Sequence, residues 1–370
     1  GVMVPPAAII ACDLTDWVHG PPLGGVAVDP ALGRLAFAPG EAPTSSLKVS
    51  YYYGFSADVG GGEYERVASF TTVSGEALYK VGAAVSFATI TAALERWAGE
   101  GRPSAVVEIG DSGTYSETIT ADVPAGRRLE IRAANEKRPT LLLTEEMHIN
   151  GAANSGFELN GLLIANHPVR VSGDIGRLRL QHCTLLPGRS LNSDGTPAQP
   201  STPSLIVKAA KPEVVINHCI LGAMRASVDG AVEISDSILD VNDPTAAAYT
   251  GLDGLAEGPP LKIARSTVNG KVRAQEMTLG ENSIFLGVVT AQRRQQGCVR
   301  FSYLPEPSSV PKRFRCQPVF PANATPEERA LIAAKVMPHF TSLRYGHPGY
   351  CQLTPDCPAE IRCGAEDESE

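Results

Sequence analysis

Leu178-Arg179-Leu180-Gln181-His182-Cys183-Thr184-Leu185, Val214-Val215-Ile216-Asn217-His218-Cys219-Ile220-Leu221, Val232-Glu233-Ile234-Ser235-Asp236-Ser237-Ile238-Leu239 and Leu261-Lys262-Ile263-Ala264-Arg265-Ser266-Thr267-Val268 are copies of one pattern. Each has an alternating strand, a two-residue corner, a small residue and a second short strand. Phe157-Glu158-Leu159-Asn160-Gly161-Leu162-Leu163-Ile164 extends the series upstream, and Glu281-Asn282-Ser283-Ile284-Phe285 is a degraded last copy. The equivalent positions Leu162, Cys183, Cys219, Ser237, Ser266 and Ser283 are separated by 21, 36, 18, 29 and 17 residues. The basic period is therefore 18 to 21, and the two long gaps are one turn plus an insertion. A further strand follows in each copy: Val169-Arg170-Val171, Leu205-Ile206-Val207, Arg225-Ala226-Ser227-Val228 and Lys271-Val272-Arg273. Strands this short bury no core alone, but stacked coils align their apolar faces into one column. The expected fold is mainly β, a right-handed parallel β-helix over residues 81–290. A β-sandwich does not keep an in-register repeat of this length.

Upstream of the repeat, Ser86 is placed to cap a helix over 86–98, with Ile90, Leu94 and Trp97 on one face and Gly99 and Gly101 ending it. This helix is expected to cover the open N-terminal end of the solenoid. Residues 1–80 form a β-rich lead-in. Val26-Ala27-Val28 and Arg34-Leu35-Ala36-Phe37 flank a turn at 29–33 and read as a hairpin; Leu47-Lys48-Val49-Ser50-Tyr51-Tyr52-Tyr53 reads as a strand. Gly60-Gly61-Gly62 lacks the strand–loop–helix setting of a phosphate cradle and reads as a flexible turn. Residues 291–370 form an irregular, Cys-bearing C-terminal segment, helical only near 326–337.

The composition narrows the class. The chain has 370 residues, 43% hydrophobic and 19% charged, which excludes disorder for most of it. With 36 glycines, 29 prolines and 6% aromatic residues, the balance favours short strands joined by turns over a helical bundle. A net charge of −8 argues against general nucleic-acid binding, which needs a basic face. No apolar run approaches the roughly 18 residues of a membrane span. Gly1–Pro6 lacks the basic region and apolar core of a signal peptide. Gly1 and the acidic run Glu366-Asp367-Glu368-Ser369-Glu370 suggest a piece of a longer protein.

The insertions 187–204 and 242–260 are expected to leave the coil after its second strand, on the same flank. They are joined by the short connection Gly222-Ala223-Met224, and such stacked loops are where solenoids place contact surfaces. The corner column His182, His218, Asp236, Arg265 and Asn282 stacks polar groups about 4.8 Å apart. A metal or acid–base site and a ladder of corner hydrogen bonds both fit it; Arg265 and Asn282 favour the ladder. Cys183, Cys219, Ser237, Ser266 and Ser283 form the next column, where small size is the requirement and the thiols are buried. Cys298, Cys316, Cys351, Cys357 and Cys363 fall in the last third without CxxC spacing, leaving metal, local disulfides and reduced thiols open.

For hydrolysis, Gly54-Phe55-Ser56-Ala57-Asp58 departs from the GxSxG elbow. Phe157, Tyr249 and Phe285 are the only aromatics between 150 and 290, too few for a carbohydrate cleft. Residues 291–316 hold Arg293, Arg294, Arg300, Lys312, Arg313 and Arg315 against Glu306, an excess of five positive charges. The tail 356–370 has an excess of five negative charges, so mutual neutralisation within or between subunits is expected. No catalytic, cofactor-binding or metal-binding residue is assigned.

Two resemblances attach to these residues. Phe87-Ala88-Thr89-Ile90-Thr91-Ala92-Ala93-Leu94 with Asp111-Ser112-Gly113-Thr114-Tyr115-Ser116-Glu117 resembles the opening of pectin methylesterases and related pectin-lyase-like β-helix proteins. The esterase motifs Gln-Asp-Thr and Asp-Phe-Ile-Phe-Gly have no counterpart, so the resemblance implies the fold and not the activity. Val28–Phe37, Tyr51–Asp58, Arg293–Tyr303 and Phe340–Cys351 together resemble large phage tail-like proteins of bacterial contractile injection system clusters. Those carry a baseplate-type region before this part and continue beyond it. The resemblance implies a non-enzymatic structural or target-contacting particle component, assembled in the bacterial cytoplasm and carried on the particle. Its partners would be other particle proteins and a cell-surface target, without nucleic acid, membrane insertion or cofactor. The alternative is a carbohydrate-active β-helix enzyme of tailspike or pectin-lyase type.

Overall fold

The computed structural model describes residues 4–5, 8–12, 14–17, 20–29, 32–44, 46–49, 57–71, 75–82 and 85–363. They are mainly β, about 40% strand and 8% helix, which rules out a helical architecture. The chain divides into two units, Gly1–Tyr52 and Tyr53–Glu370.

In the first unit, Val26–Asp29 and Arg34–Phe37 form the expected antiparallel hairpin, and Ile9–Ala11 adds a parallel strand to Val26–Asp29. The Asp29 carboxylate holds it together, accepting from Leu14 N at 3.0 Å and Leu32 N at 2.9 Å. Of the strand expected at 47–53, Leu47–Val49 is irregular and 50–53 lie outside the described residues.

The second unit stacks parallel strands in three ladders that the chain visits in rotation. One full circuit is Arg177–Gln181 in the first ladder, Thr184–Leu185 in the second and Pro203–Ala209 in the third. Each strand pairs in register with the strand one circuit away: Leu178 faces Val214, Leu185 faces Leu221 and Val207 faces Ala226. Among the described residues the second ladder holds eight strands. The first and third share Lys271–Glu281, which runs through both without a corner.

Because side chains alternate along a strand, in-register stacking extends the apolar half into columns. Ile131, Leu159, Leu180, Ile216, Ile234 and Ile263 form one such column, all fully buried. It continues through Gly280 and Val299 and ends on the exposed Arg313. The ladders thus pass the expected limit at residue 290: Cys298–Arg300 and Lys312–Phe314 add rungs that degraded repeats conceal.

The opening helix, α1 (Ile90–Gly99), is capped by Thr89, whose side chain accepts from Ala92 N at 3.1 Å, rather than by Ser86. Phe87 is unavailable to the helix, since it bridges to Val81 and bonds Lys80 O and Gly82 N. The Glu117 carboxylate accepts from Ile90 N at 3.0 Å and Thr91 N at 2.7 Å, placing negative charge at the helix start. Ile90, Ala93, Leu94 and Trp97 are buried against Tyr79, Val81, Ala105 and Val107, so α1 closes the first rungs of the core.

The two insertions differ from expectation. Residues 242–260 contain a third-ladder strand, Ala247–Thr250, whose Tyr249 is fully buried and bonds Pro259 O. Ala223 and Met224, read as a connection, are likewise strand residues with buried side chains. The true excursions are therefore 187–202, entering the third ladder, and 251–260, leaving it. They stand on opposite borders of that ladder.

The C-terminal segment carries α2 (Pro326–Lys335), with a Thr325–Glu328 capping box, and α3 (Ala359–Arg362). It is pinned to the second ladder. Tyr350 donates to the buried Asp240 carboxylate at 2.6 Å, and Tyr345 packs on Leu163, Ala165 and Leu186. Arg344 reaches the 187–202 excursion at Gly195 O, 3.2 Å away.

Candidate functional site: the corner column, its strap and the third-ladder groove

Gly161, His182, His218, Asp236, Arg265, Asn282, Phe301 and Arg315 all adopt left-handed backbone, with φ between 46° and 75°. That conformation turns the chain between the first and second ladders, and it is uncommon for Arg and Phe. It is held by the next rung: His182 N donates to Asn217 O, His218 N to Ser235 O, Asp236 N to Ala264 O and Arg265 N to Glu281 O.

The small residue after each corner does more than save space. Ser237, Ser266, Ser283 and Ser302 each donate to the carbonyl two residues earlier, at 2.6–2.8 Å. Each also accepts the amide of the preceding coil: Cys219 N to Ser237 at 3.0 Å, Ser237 N to Ser266 at 3.1 Å, Ser266 N to Ser283 and Ser283 N to Ser302 at 3.2 Å. Cys183 and Cys219 occupy the same position, with Cys183 N 3.4 Å from the Cys219 sulfur. Size alone was the sequence expectation; the column is a hydrogen-bond ladder. All eight cysteines are free thiols, which removes the disulfide alternative. Burial, then the neighbouring Cys183, pushes the Cys219 thiol well up. With no exposure, Cys183 and Cys219 are expected to resist a maleimide in the native protein while the exposed Cys363 reacts at once. Native labelling of both within the Cys363 phase would place the ladder outward, one residue out of register.

On the outside, the corner side chains satisfy one another. Arg265 grips Asp236 with two bonds of 2.6 Å, and the His182 and His218 rings lie 5.0 Å apart. His218 Nδ1 meets Asn217 Oδ1 at 2.7 Å. Residues 57–71 form a strap across the upper part of the column. Gly60 N donates to His218 O at 2.7 Å, and Gly61 N to Thr184 Oγ1 at 3.0 Å. A Cβ on Gly61 would sit 2.7 Å from the Leu162 carbonyl, so the triplet expected to be a flexible turn is a close-packed contact. Tyr64 OH donates to Gly60 O and lies 3.0 Å from His182 Nδ1, which places the ring hydrogen on Nδ1. Burial, helped by His218 and Arg66, lowers the His182 pKa to about 4, so the ring is neutral at physiological pH. Arg66 takes the side-chain space above Gly161 and donates to the carbonyls of Gly62, Ala134 and Lys137.

The far part of the strap crosses a charged cluster on the outer face of the first ladder. Arg128 Nη2 lies 2.7 Å from Glu130 and 2.9 Å from Glu158, and its Nη1 lies 2.9 Å from Glu76. Arg132 pairs with Glu108 at 2.7 Å and stacks over Phe70 at 4.3 Å; Arg179 bonds Thr71. Four carboxylates thus meet three guanidiniums. Glu130 is completely buried, and its Oε1 has no partner among the described residues. Burial first, then the Glu158 charge, raises its pKa to about 7 against the pull of Arg128 and Arg132. The sequence shows these residues only as outward positions of alternating strands; nothing local says that a distant segment covers them.

On the third ladder, Arg170, Ile206, Lys208 and Arg225 form the floor of a groove of about 620 Å³. Pro203, the first residue of its strand, borders it on one side, and Leu252, Asp253 and Gly254 of the 251–260 excursion form the wall on the other. The basic residues 293–315 lie elsewhere: Arg293, Arg294, Lys312, Arg313 and Arg315 are exposed, and Arg300 pairs with Glu281 at 2.6 Å. The acidic run 366–370 lies outside the described residues, as do Gly54, Phe55 and Ser56 of the imperfect elbow. Asp243 caps Thr245, with its carboxylate 2.7 Å from both Thr245 N and Oγ1. Among the described residues no three of His, Cys, Asp and Glu converge as metal ligands, and no helix is long and apolar enough to cross a membrane.

No family model, curated protein or solved structure matches the chain.

Proposed function

We infer that the stack is a right-handed parallel β-helix and that the chain works by contact, as a non-enzymatic component of a phage tail-like contractile injection particle. The observation that carries this reading is the engagement of the polar corner residues. His182 is tied to Tyr64, His218 to Asn217 and Asp236 to Arg265, so the groups best suited to acid–base work already serve the corner. In-register ladders suit a part that must keep its shape under load, because every inner rung is bonded on both sides. The groove supplies a rigid contact surface, and the sequence phrases at 28–37, 293–303 and 340–351 supply the link to the particle.

The test has two arms. Pectins, other polysaccharides and glycans incubated with the chain are expected to remain uncleaved. The tagged chain, expressed with the remaining genes of an injection cluster, is expected to co-sediment with the assembled particle. Turnover of a glycan that Asp236→Asn abolishes would replace this reading with the carbohydrate-active enzyme.

A further inference from the structure

We propose that the groove across the third ladder docks an acidic, extended segment of another protein chain, its carboxylates seated on Lys208 and Arg225. This rests on the contact reading above and names the kind of partner.

The charge count favours an anion. Arg170 is neutralised by Glu146, 2.6 Å away. Lys208 has no ion pair or hydrogen bond among the described residues and points into solvent from its strand. Arg225 is half-buried, its guanidinium held by Met224 O at 3.0 Å and Ala247 O at 3.2 Å, with no carboxylate in ion-pair reach among the described residues. Asp253 is the nearby acid, but its carboxylate turns to the amides of Leu255 at 2.9 Å and Ala256 at 2.8 Å. A protein of net charge −8 therefore keeps two cations without a salt-bridge partner in one groove, although Asp253 acts on Arg225 from a distance. A partly desolvated charge such as Arg225 gains most from a complementary partner.

The lining favours a peptide over a sugar. It contains no aromatic ring, while Pro203, Ile206 and Leu252 give aliphatic surface between the cations. Ile206 sits one rung, about 4.8 Å, from Arg225, and two residues, about 6.6 Å, from Lys208. Lys208 and Arg225 are then about 8 Å apart on the diagonal, and an extended strand places alternate side chains about 6.6 Å apart, so two alternate carboxylates can meet both of these long side chains. The floor consists of bonded strands, so little ordering cost opposes docking.

The test uses the intact chain and a fluorescein-labelled oligoglutamate peptide, read by anisotropy. Binding is expected at low salt, weakening as salt rises. Lys208→Glu should weaken it on the order of tenfold, as reversal of a contacting charge does, and Leu252→Asp should weaken it by adding a like charge to the wall. Lys312→Glu, on the other basic surface, should leave it unchanged. Unaltered unfolding midpoints would confirm that the variants fold. The proposal is overturned if no binding is seen, if Lys312→Glu abolishes it while Lys208→Glu does not, or if polygalacturonate or heparin displaces the peptide and binds more tightly in a Lys208-dependent way. Particle co-sedimentation is scored separately; its survival alongside failed peptide binding would remove this proposal alone.

Discussion

Glu130→Gln is expected to stabilise the protein by about 3 kcal/mol above pH 7 and to have little effect below pH 4.5. In the native protein the Glu130 carboxyl holds its proton up to about pH 7, whereas its ordinary value is 4.5. Below 4.5 both folded and unfolded chains are protonated at this position, and the group costs nothing. As pH rises through that value the unfolded chain releases its proton while the folded chain retains it, so stability falls. Above 7 the folded chain must bury a fourth carboxylate among three guanidiniums, and the full cost applies. Gln has the same shape, still accepts from Arg128, and leaves three carboxylates to three guanidiniums. Denaturant midpoints of both proteins, followed from pH 4 to 8, should diverge upward in favour of the variant. Equal destabilisation at every pH would show instead that Glu130 is ionised and productively paired. The response should be greatest for probes on the strap, since Phe70 and Thr71 rest on this cluster.

Trp97→Ala carries the other large expected effect, a loss of about 3–5 kcal/mol. The indole is 1% exposed, lies against the first rungs of the core, and donates to Pro103 O at 2.7 Å. Truncation leaves a cavity and removes the hydrogen bond to the partly buried Pro103 carbonyl. It also loosens α1 from the rungs it covers, so binding of an apolar dye at temperatures where the parent binds none is expected. Trp17 is the natural control. It is 58% exposed and touches Arg34 through its ring face, so Trp17→Ala should cost under about 1 kcal/mol. A Trp97→Ala loss as small as that would mean that α1 does not seal the core.

The stacked strands were legible because in-register pairing preserves the two-residue alternation, and Ile216, Ile234 and Ile263 keep it without a gap. The corner residues were legible as a column for the same reason. Their left-handed backbone was not, because glycine, asparagine and aspartate are the usual signal and His182, His218, Arg265, Phe301 and Arg315 do not give it. Ala247–Thr250 was hidden by Asp243 and Pro244, which mark a turn and disguise the short strand that follows. The strap was illegible for a different reason. Tyr64 and Arg66 show no periodicity, and their partners lie about a hundred residues away, so no local pattern connects them. The groove needed the correction to the excursions: once Ala247–Thr250 is a strand, 251–260 stands alone as the loop that walls the groove.

The coil between Cys219 and Ser237 closes in 18 residues with no excursion. It carries one rung of each ladder, one corner and one link of the hydroxyl chain, and nothing in it belongs to either end. Each such coil advances the stack by about 4.8 Å. Duplicating or deleting it would move the helix-sealed start relative to the Arg313 terminus by one graduation while leaving both intact. The protein is in this sense a ruler graduated in coils.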